Sequence, residues 1–139
     1  MIILSVDLGG TRTGLAICDE SETLASPLTV INQYDREKLC AQICGIAAER
    51  GVQRIVVGLP RNMDGSEGES AQAARRFADH LRKASGIEVR LSDERCTTIT
   101  AHRYLNDTDT RGKKRKAVVD AVAAAIILQD HLDWRRNNE

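Results

Sequence analysis

Four acids stand where the surrounding residues make acids unexpected. Asp7 ends an apolar run just before the glycine-rich turn of "VDLGGTRTGLAI" (6–17), and Asp93 and Glu94 follow another apolar alternation in "LSDERCTT" (91–98). Asp120 is the single charge among eleven apolar residues in "AVVDAVAAAIIL" (117–128). A lone carboxylate in apolar surroundings is costly unless something pairs with it. If Asp7, Glu94 and Asp120 converge, their repulsion raises their pKa values unless divalent cations intervene, and hard oxygen ligands suit Mg²⁺ or Mn²⁺. Such a site aligns a phosphodiester and activates water, one ion serving the nucleophile and another the leaving oxygen. Plainer roles compete: Asp7 as a turn cap, Asp93 and Glu94 as caps of a helix beginning near Thr97, and Asp120 as the partner of a buried arginine.

The turn after Asp7 narrows the chemistry. Gly9 and Gly14 have the spacing of a P-loop, but Leu15 and Ala16 stand where a P-loop needs Lys and Ser or Thr. The three glycines Gly9, Gly10 and Gly14 also fail the G-x-G-x-x-G pattern, and no helix follows to receive a pyrophosphate. What remains is a hairpin that presents a carboxylate at a sheet end while Gly9 and Gly14 let a backbone or a phosphate come close. Gly58 and Gly65 serve structurally in "GLPRNMDGSEG" (58–68), where backbone N–H groups and Asn62 could meet a phosphate and Ser66 or Ser70 could cap the next helix. The same loop could be purely structural.

Candidate substrate-binding residues are mostly cationic. "TRGKKRKA" (110–117) places Arg111, Lys113, Lys114, Arg115 and Lys116 just before Asp120, enough charge to hold phosphates, although such runs also form solvated surfaces or helix caps. Arg12 near Asp7 and Arg95 beside Glu94 could clamp a phosphate or pair internally with the acids. The chain has 20 basic and 20 acidic residues, so any electropositive surface is local. Tyr34, Phe77, Tyr104 and Trp134 are too scattered for a base-stacking platform, which favours recognition of backbone and shape. His80, His102 and His131 fall in predicted helices away from these motifs and read as surface or packing residues.

The elements that must position these groups follow from periodicity. Three short apolar segments, 2–9, 12–19 and 23–31, predict an antiparallel meander. Helical spacing of Leu39, Ile43, Ile46 and Ala47 predicts a helix capped by Asp35 and ended by Gly51. A buried strand over 52–60, halted by Gly58 and Pro60, precedes a helix through Ala73, Phe77 and Leu81 up to Gly86. A fifth strand (87–94), a short helix (about 96–106) and a long helix (about 114–133) complete the order βββαβαβαα. Small residues Ala117, Ala121, Ala123 and Ala124 would let the last helix lie close to the sheet. The expected fold is α/β: a mixed five-stranded sheet, three antiparallel strands then two parallel crossovers, flanked by helices in one domain over 1–139. Cys18, Cys40, Cys44 and Cys96 form no zinc pattern and read as reduced thiols of a cytosolic chain; no segment reads as a signal peptide or membrane span.

Four ordered motifs, "VDLGGTRTGLAI", "VVGLPRNMDGS", "DERCTT" and "RKAVVDAVAAAIIL", resemble those of the YqgF (RuvX) family over nearly all of the chain. The resemblance implies a ribonuclease H-like fold related to RuvC Holliday-junction resolvases. It also implies a cytoplasmic, metal-dependent endonuclease maturing the 5′ end of pre-16S rRNA, or alternatively resolving four-way DNA junctions. The family's proposed acids fall on Asp7, Glu94 and Asp120. The resolvase relatives carry a further acid three positions after the last of these, where this chain has Ala123. Structured RNA is the expected partner ahead of a DNA junction, with no membrane partner. Trimming RNA needs only a monomer, whereas a junction wants a two-fold, weak homodimer. Two other functions stay open: single-lobe nucleotide binding, because "DLGGT" also resembles the first phosphate loop of actin-like sugar kinases, and a non-catalytic ribosome-associated role.

Overall fold

The computed structural model describes residues 1–61, 64–94 and 112–138, without the side chains of Glu94 and of residues 112–118. Strands β1 (Ile3–Asp7), β2 (Arg12–Ile17) and β3 (Ser26–Asn32) form the expected antiparallel meander. β4 (Arg54–Pro60) and β5 (Glu88–Glu94) add parallel strands on the other side of β1, giving the order β3-β2-β1-β4-β5. α1 (Arg36–Arg50) links β3 to β4, α2 (Glu69–Ser85) links β4 to β5, and α3 (Gly112–Asn138) comes last. This is the mixed sheet expected of a ribonuclease H-like fold; the helix expected at about 96–106 lies outside the described residues.

Alternation along β1 divides the molecule into two faces. Leu4 and Val6 join Leu15, Leu39, Ile43, Ile55, Phe77 and Leu81 in the core under α1 and α2, while Ile3 joins Ala16, Val56, Ile127, Leu128 and Leu132 under α3. A strand covered on both faces reads as a continuous apolar run, which is why the N-terminal segment shows so little polarity. Cys18, Cys40 and Cys44 are free thiols. No helix of the described residues is long and apolar enough to cross a membrane.

The ends of α1 follow the sequence reading. Asp35 accepts hydrogen bonds from the Glu37 and Lys38 backbone nitrogens at 2.9 and 3.1 Å, and Gly51 takes the left-handed conformation that stops the helix. The start of α2 does not. Its N-cap is Gly68, which has no side chain to offer, in place of Ser66 or Ser70. Asp64 Oδ1 instead captures the Ser66 nitrogen at 2.9 Å and its hydroxyl at 2.6 Å, closing a local turn before the helix, and Ser70 already lies inside it. Gly58 does not halt β4 either: it pairs with Ser92 inside the ladder, and the strand continues to Pro60 because β5 supplies a parallel partner along that length.

α3 is 27 residues long, about 40 Å at 1.5 Å per residue, and crosses β3, β2, β1 and β4. Its buried stripe, Val119, Ala123, Ala124, Ile127, Leu128, His131 and Leu132, repeats at helical spacing. Ser5, buried in β1, donates from Oγ to the Ala124 carbonyl at 2.6 Å. The approach is closest over β2, where a Cβ on Gly14 would overlap the Asp120 carbonyl oxygen and press on the Ala121 nitrogen. Near the helix's other end, Arg135 pairs with Glu22 at 2.5 Å, and the buried Arg54 meets His131 at 3.3 Å. Gly14→Ala must therefore lift α3 or shift β2; overpacking of this kind costs about 1–3 kcal/mol. Urea unfolding should show a lowered midpoint of that size, and an unchanged midpoint would mean that the contact is not required.

Candidate active site

Sheet register and helix packing bring the first and last sequence-predicted acids together. Asp7 closes β1 and stands directly across from Gly14 on β2. Because α3 sits on Gly14 through the backbone of Asp120, the Asp120 carboxylate reaches the neighbourhood of Asp7. Burial pushes the Asp7 carboxyl up to about 6, and the Asp120 charge pushes it in the same direction. Burial also raises Asp120, against the opposing pull of Arg12.

Arg12, at the start of β2, places Nε 3.2 Å from Asp120 Oδ2. Charge attraction operates at that distance, but the alignment is not that of a hydrogen bond, and this buried oxygen has no hydrogen-bond partner. The Asp–Arg pairing open to Asp120 from sequence is thus present in an incomplete form. Arg12 turns to Asp120 and not to its sequence neighbour Asp7.

Position 94 is the last of β5. One step beyond the Val6–Val57 pair, Asp7 is level with Gly58, which pairs with Ser92. Position 94 ends the alternate row 88, 90, 92, 94 at the same carboxyl edge, and Gly58 interposes no side chain between β1 and β5. The Glu94 side chain is outside the described residues. Asp93 belongs to the other row, and its carboxylate lies 3.5 Å from Arg61, which also meets Glu67 at 3.4 Å. Among the described residues, no three His, Cys, Asp or Glu side chains are grouped to hold a metal ion. Asp7 and Asp120 form a pair of acids at a strand-end edge.

Of the other candidates, Asn62 and Arg95 lie outside the described residues, and Lys113, Lys114, Arg115 and Lys116 are placed by backbone alone, on the α3 turns leading to Asp120. Gly9 has a structural part, since a Cβ there would overlap the Arg12 carbonyl, and Gly65 takes a left-handed φ of 88°. Two residues carried no role in the sequence reading. Ser5, the only polar residue between Ile2 and Val6, shares the face of Asp7 and pins α3; its isolation in an apolar run was the available signal. Arg36 donates from Nη2 to the Gly9 carbonyl at 2.8 Å, a contact 27 residues apart that no local pattern announces.

The sequence model of a family described as "RuvX: Holliday junction resolvase" matches residues 1–134. The chain belongs to the RuvX family. Curated relatives include a protein of Chloroflexus aurantiacus, 47% identical over 99% of this chain and 90% of its own length. Another, from Thermoanaerobacter pseudethanolicus, is 42% identical over 99% of both chains. Each carries the name "Putative pre-16S rRNA nuclease". Among solved structures, Thermus thermophilus RuvC in complex with Holliday junction substrate aligns with a TM-score of 0.62 over 99% of this chain and 97% of its own, at 14% identity. The fowlpox virus Holliday junction resolvase aligns at 0.57 over 96% and 99%, at 13% identity. At such identities the likeness is one of fold. Ala123 is buried against Val119.

The folded-state pKa of Asp7, about 6, exceeds its ordinary 3.8, so the folded chain binds this proton more tightly than the unfolded one. That contribution is complete below pH 3.8 and is lost as pH rises through 6, amounting to roughly 3 kcal/mol at 1.36 kcal/mol per pKa unit. Asp7→Asn removes the cost of burying the charge. In chelator at pH 7.5 it should unfold at higher urea than the wild type, with the gap closing toward pH 4; an equal gap at both pH values would contradict the assigned shift.

Proposed function

We propose that the protein is a metal-dependent endonuclease of phosphodiester bonds, acting as a cytoplasmic single-domain monomer on the 5′ end of pre-16S rRNA. Asp7, Glu94 and Asp120 are its metal-binding catalytic acids. The observation that carries this reading is the Asp7–Asp120 pair, like charges held at one strand-end edge with Asp7 raised to about 6 and a buried Asp120 oxygen lacking a hydrogen-bond donor. Acids serving only as caps or ion-pair partners would not be set against each other in this way. Hard carboxylate oxygens in that state fit Mg²⁺ or Mn²⁺, with Glu94 at the end of β5 as the further ligand. When bound, such ions supply Lewis-acid stabilisation of phosphate charge and a nucleophile at neutral pH.

The chain's own residues do the rest. Asp7 and Asp120 must be ionised to hold a cation, so the rise of Asp7 to about 6, with Asp120 raised as well, favours activity at the higher pH side of that value. Arg12, 40% exposed, faces Asp120 with one edge of its guanidinium and has further N–H donors for a phosphate oxygen. Lys113, Lys114, Arg115 and Lys116, with Asn62 and Arg95, are the further candidates for contacts to the nucleic-acid backbone. RNA is preferred on the names of the curated relatives; a four-way DNA junction is the second reading, favoured by the family's description and the RuvC likeness.

Asp7→Asn should reduce Mg²⁺-dependent cleavage on the order of a hundredfold or more, since a lost ligand costs at least as much as a lost outer-shell partner, while circular dichroism stays unchanged. Retained cleavage would refute the assignment. Without any substrate, Mn²⁺ should raise the melting temperature of the wild type and fail to do so for Asp120→Asn. Parallel incubation with a pre-16S rRNA fragment and a four-way junction identifies the substrate as the one that is cut.

A further inference from the structure

A groove of about 360 Å³ lies between α1 and α2, on the sheet face away from Asp120, bordered by Arg36, Glu37, Arg76 and His80 over the apolar Ala73 and Phe77. It opens at the same end of the sheet as Asp7. α1 begins just past Asn32, the partner of Arg12 on β3, and α2 follows the carboxyl end of β4. Arg36 joins the groove to the site physically, through its hydrogen bond to the carbonyl of Gly9, two residues beyond Asp7.

The charge of this groove is only partly cancelled locally, two arginines standing against one carboxylate. Arg75 is committed to Glu67 by bonds of 2.7 and 2.8 Å, and Arg82 to Asp79 at 2.5 Å. Arg76 has no ion pair among the described residues, and Glu37, beside Arg36 on α1, is the one carboxylate in the lining. The unpaired Arg76 guanidinium, with the remaining donors of Arg36 beside it, is matched to the phosphate oxygens of a nucleic-acid backbone. The intervening turn offers no obstacle: Gly10 is exposed, and a Cβ there would meet nothing within 4 Å.

We propose that this groove is a second contact surface for the phosphodiester backbone of the substrate, so that the nucleic acid straddles the β1–β2 turn between Arg76 on one face and the Lys113–Lys116 run on the other. The assignment rests on the nuclease reading for the identity of the substrate, but its test does not require cleavage. Binding of a pre-16S rRNA fragment is measured in excess chelator at several salt concentrations. Arg76→Ala should weaken binding several-fold and flatten the dependence of log Kd on log salt by about 0.7–0.9, the loss of one phosphate contact. Arg76→Lys should restore the slope. Arg50→Ala removes a charge from the opposite end of α1, about 20 Å from Arg36, and should change neither quantity. The proposal is overturned if Arg76→Ala matches the wild type, if Arg50→Ala weakens binding as much, or if the wild type shows no salt-dependent binding. Wild-type binding without Mg²⁺-dependent cleavage would defeat the nuclease reading alone and leave the groove result standing.

Discussion

The candidate site depends on how closely α3 can lie on the sheet at Gly14. Helix backbone rests where any other residue would place a methyl group, and the residue making that contact is Asp120 itself. Asp7 stands beside Gly14 in the ladder, so one steric allowance sets the separation of two acids 113 positions apart in sequence. The Ser5 hydroxyl, bonded to the Ala124 carbonyl one turn on, holds the helix at that height. Arg54 with His131, and Arg135 with Glu22, hold its distal half. A helix anchored along its length cannot easily tilt to separate the carboxylates.

That constraint brings together groups that repel. Burial and the neighbouring charge both raise Asp7, and Arg12 relieves Asp120 only in part. An arrangement that costs stability, yet is held by the seating of α3 on Gly14 and its bond to Ser5, is the pattern found where function and stability compete. The chain's membership in the RuvX family and its likeness of fold to RuvC agree with this architecture.

The electrostatics outside the acid pair are equally local. Several of the described cations are committed to acids, as with Arg61 between Glu67 and Asp93, Arg75 on Glu67, and Arg135 on Glu22. Arg76, without an ion pair among the described residues, borders a groove that Arg36 connects to the turn after Asp7, and in sequence the basic run 113–116 precedes Asp120. The proposed path of the nucleic acid uses both faces of the sheet around that common edge.

The strands, the capped α1, and the suspicion attached to Asp7 and Asp120 were legible from sequence, because hydrophobic period and an acid in an apolar run are properties of neighbouring residues. The start of α2 was misread at Ser66, whose hydroxyl goes to Asp64, and β4 runs through Gly58 because β5 supports it; a hydrogen bond's choice among nearby partners is not encoded in spacing. Sequence alone determined which residue types were available and which elements carried them. Tertiary structure alone decided that Gly14 admits a helix and not a ligand, that Arg12 turns to Asp120, that Asp93 faces Arg61, and that Arg36 reaches Gly9. Each of those outcomes is a contact between distant segments, and such contacts exist only once strand register and helix height are set by packing.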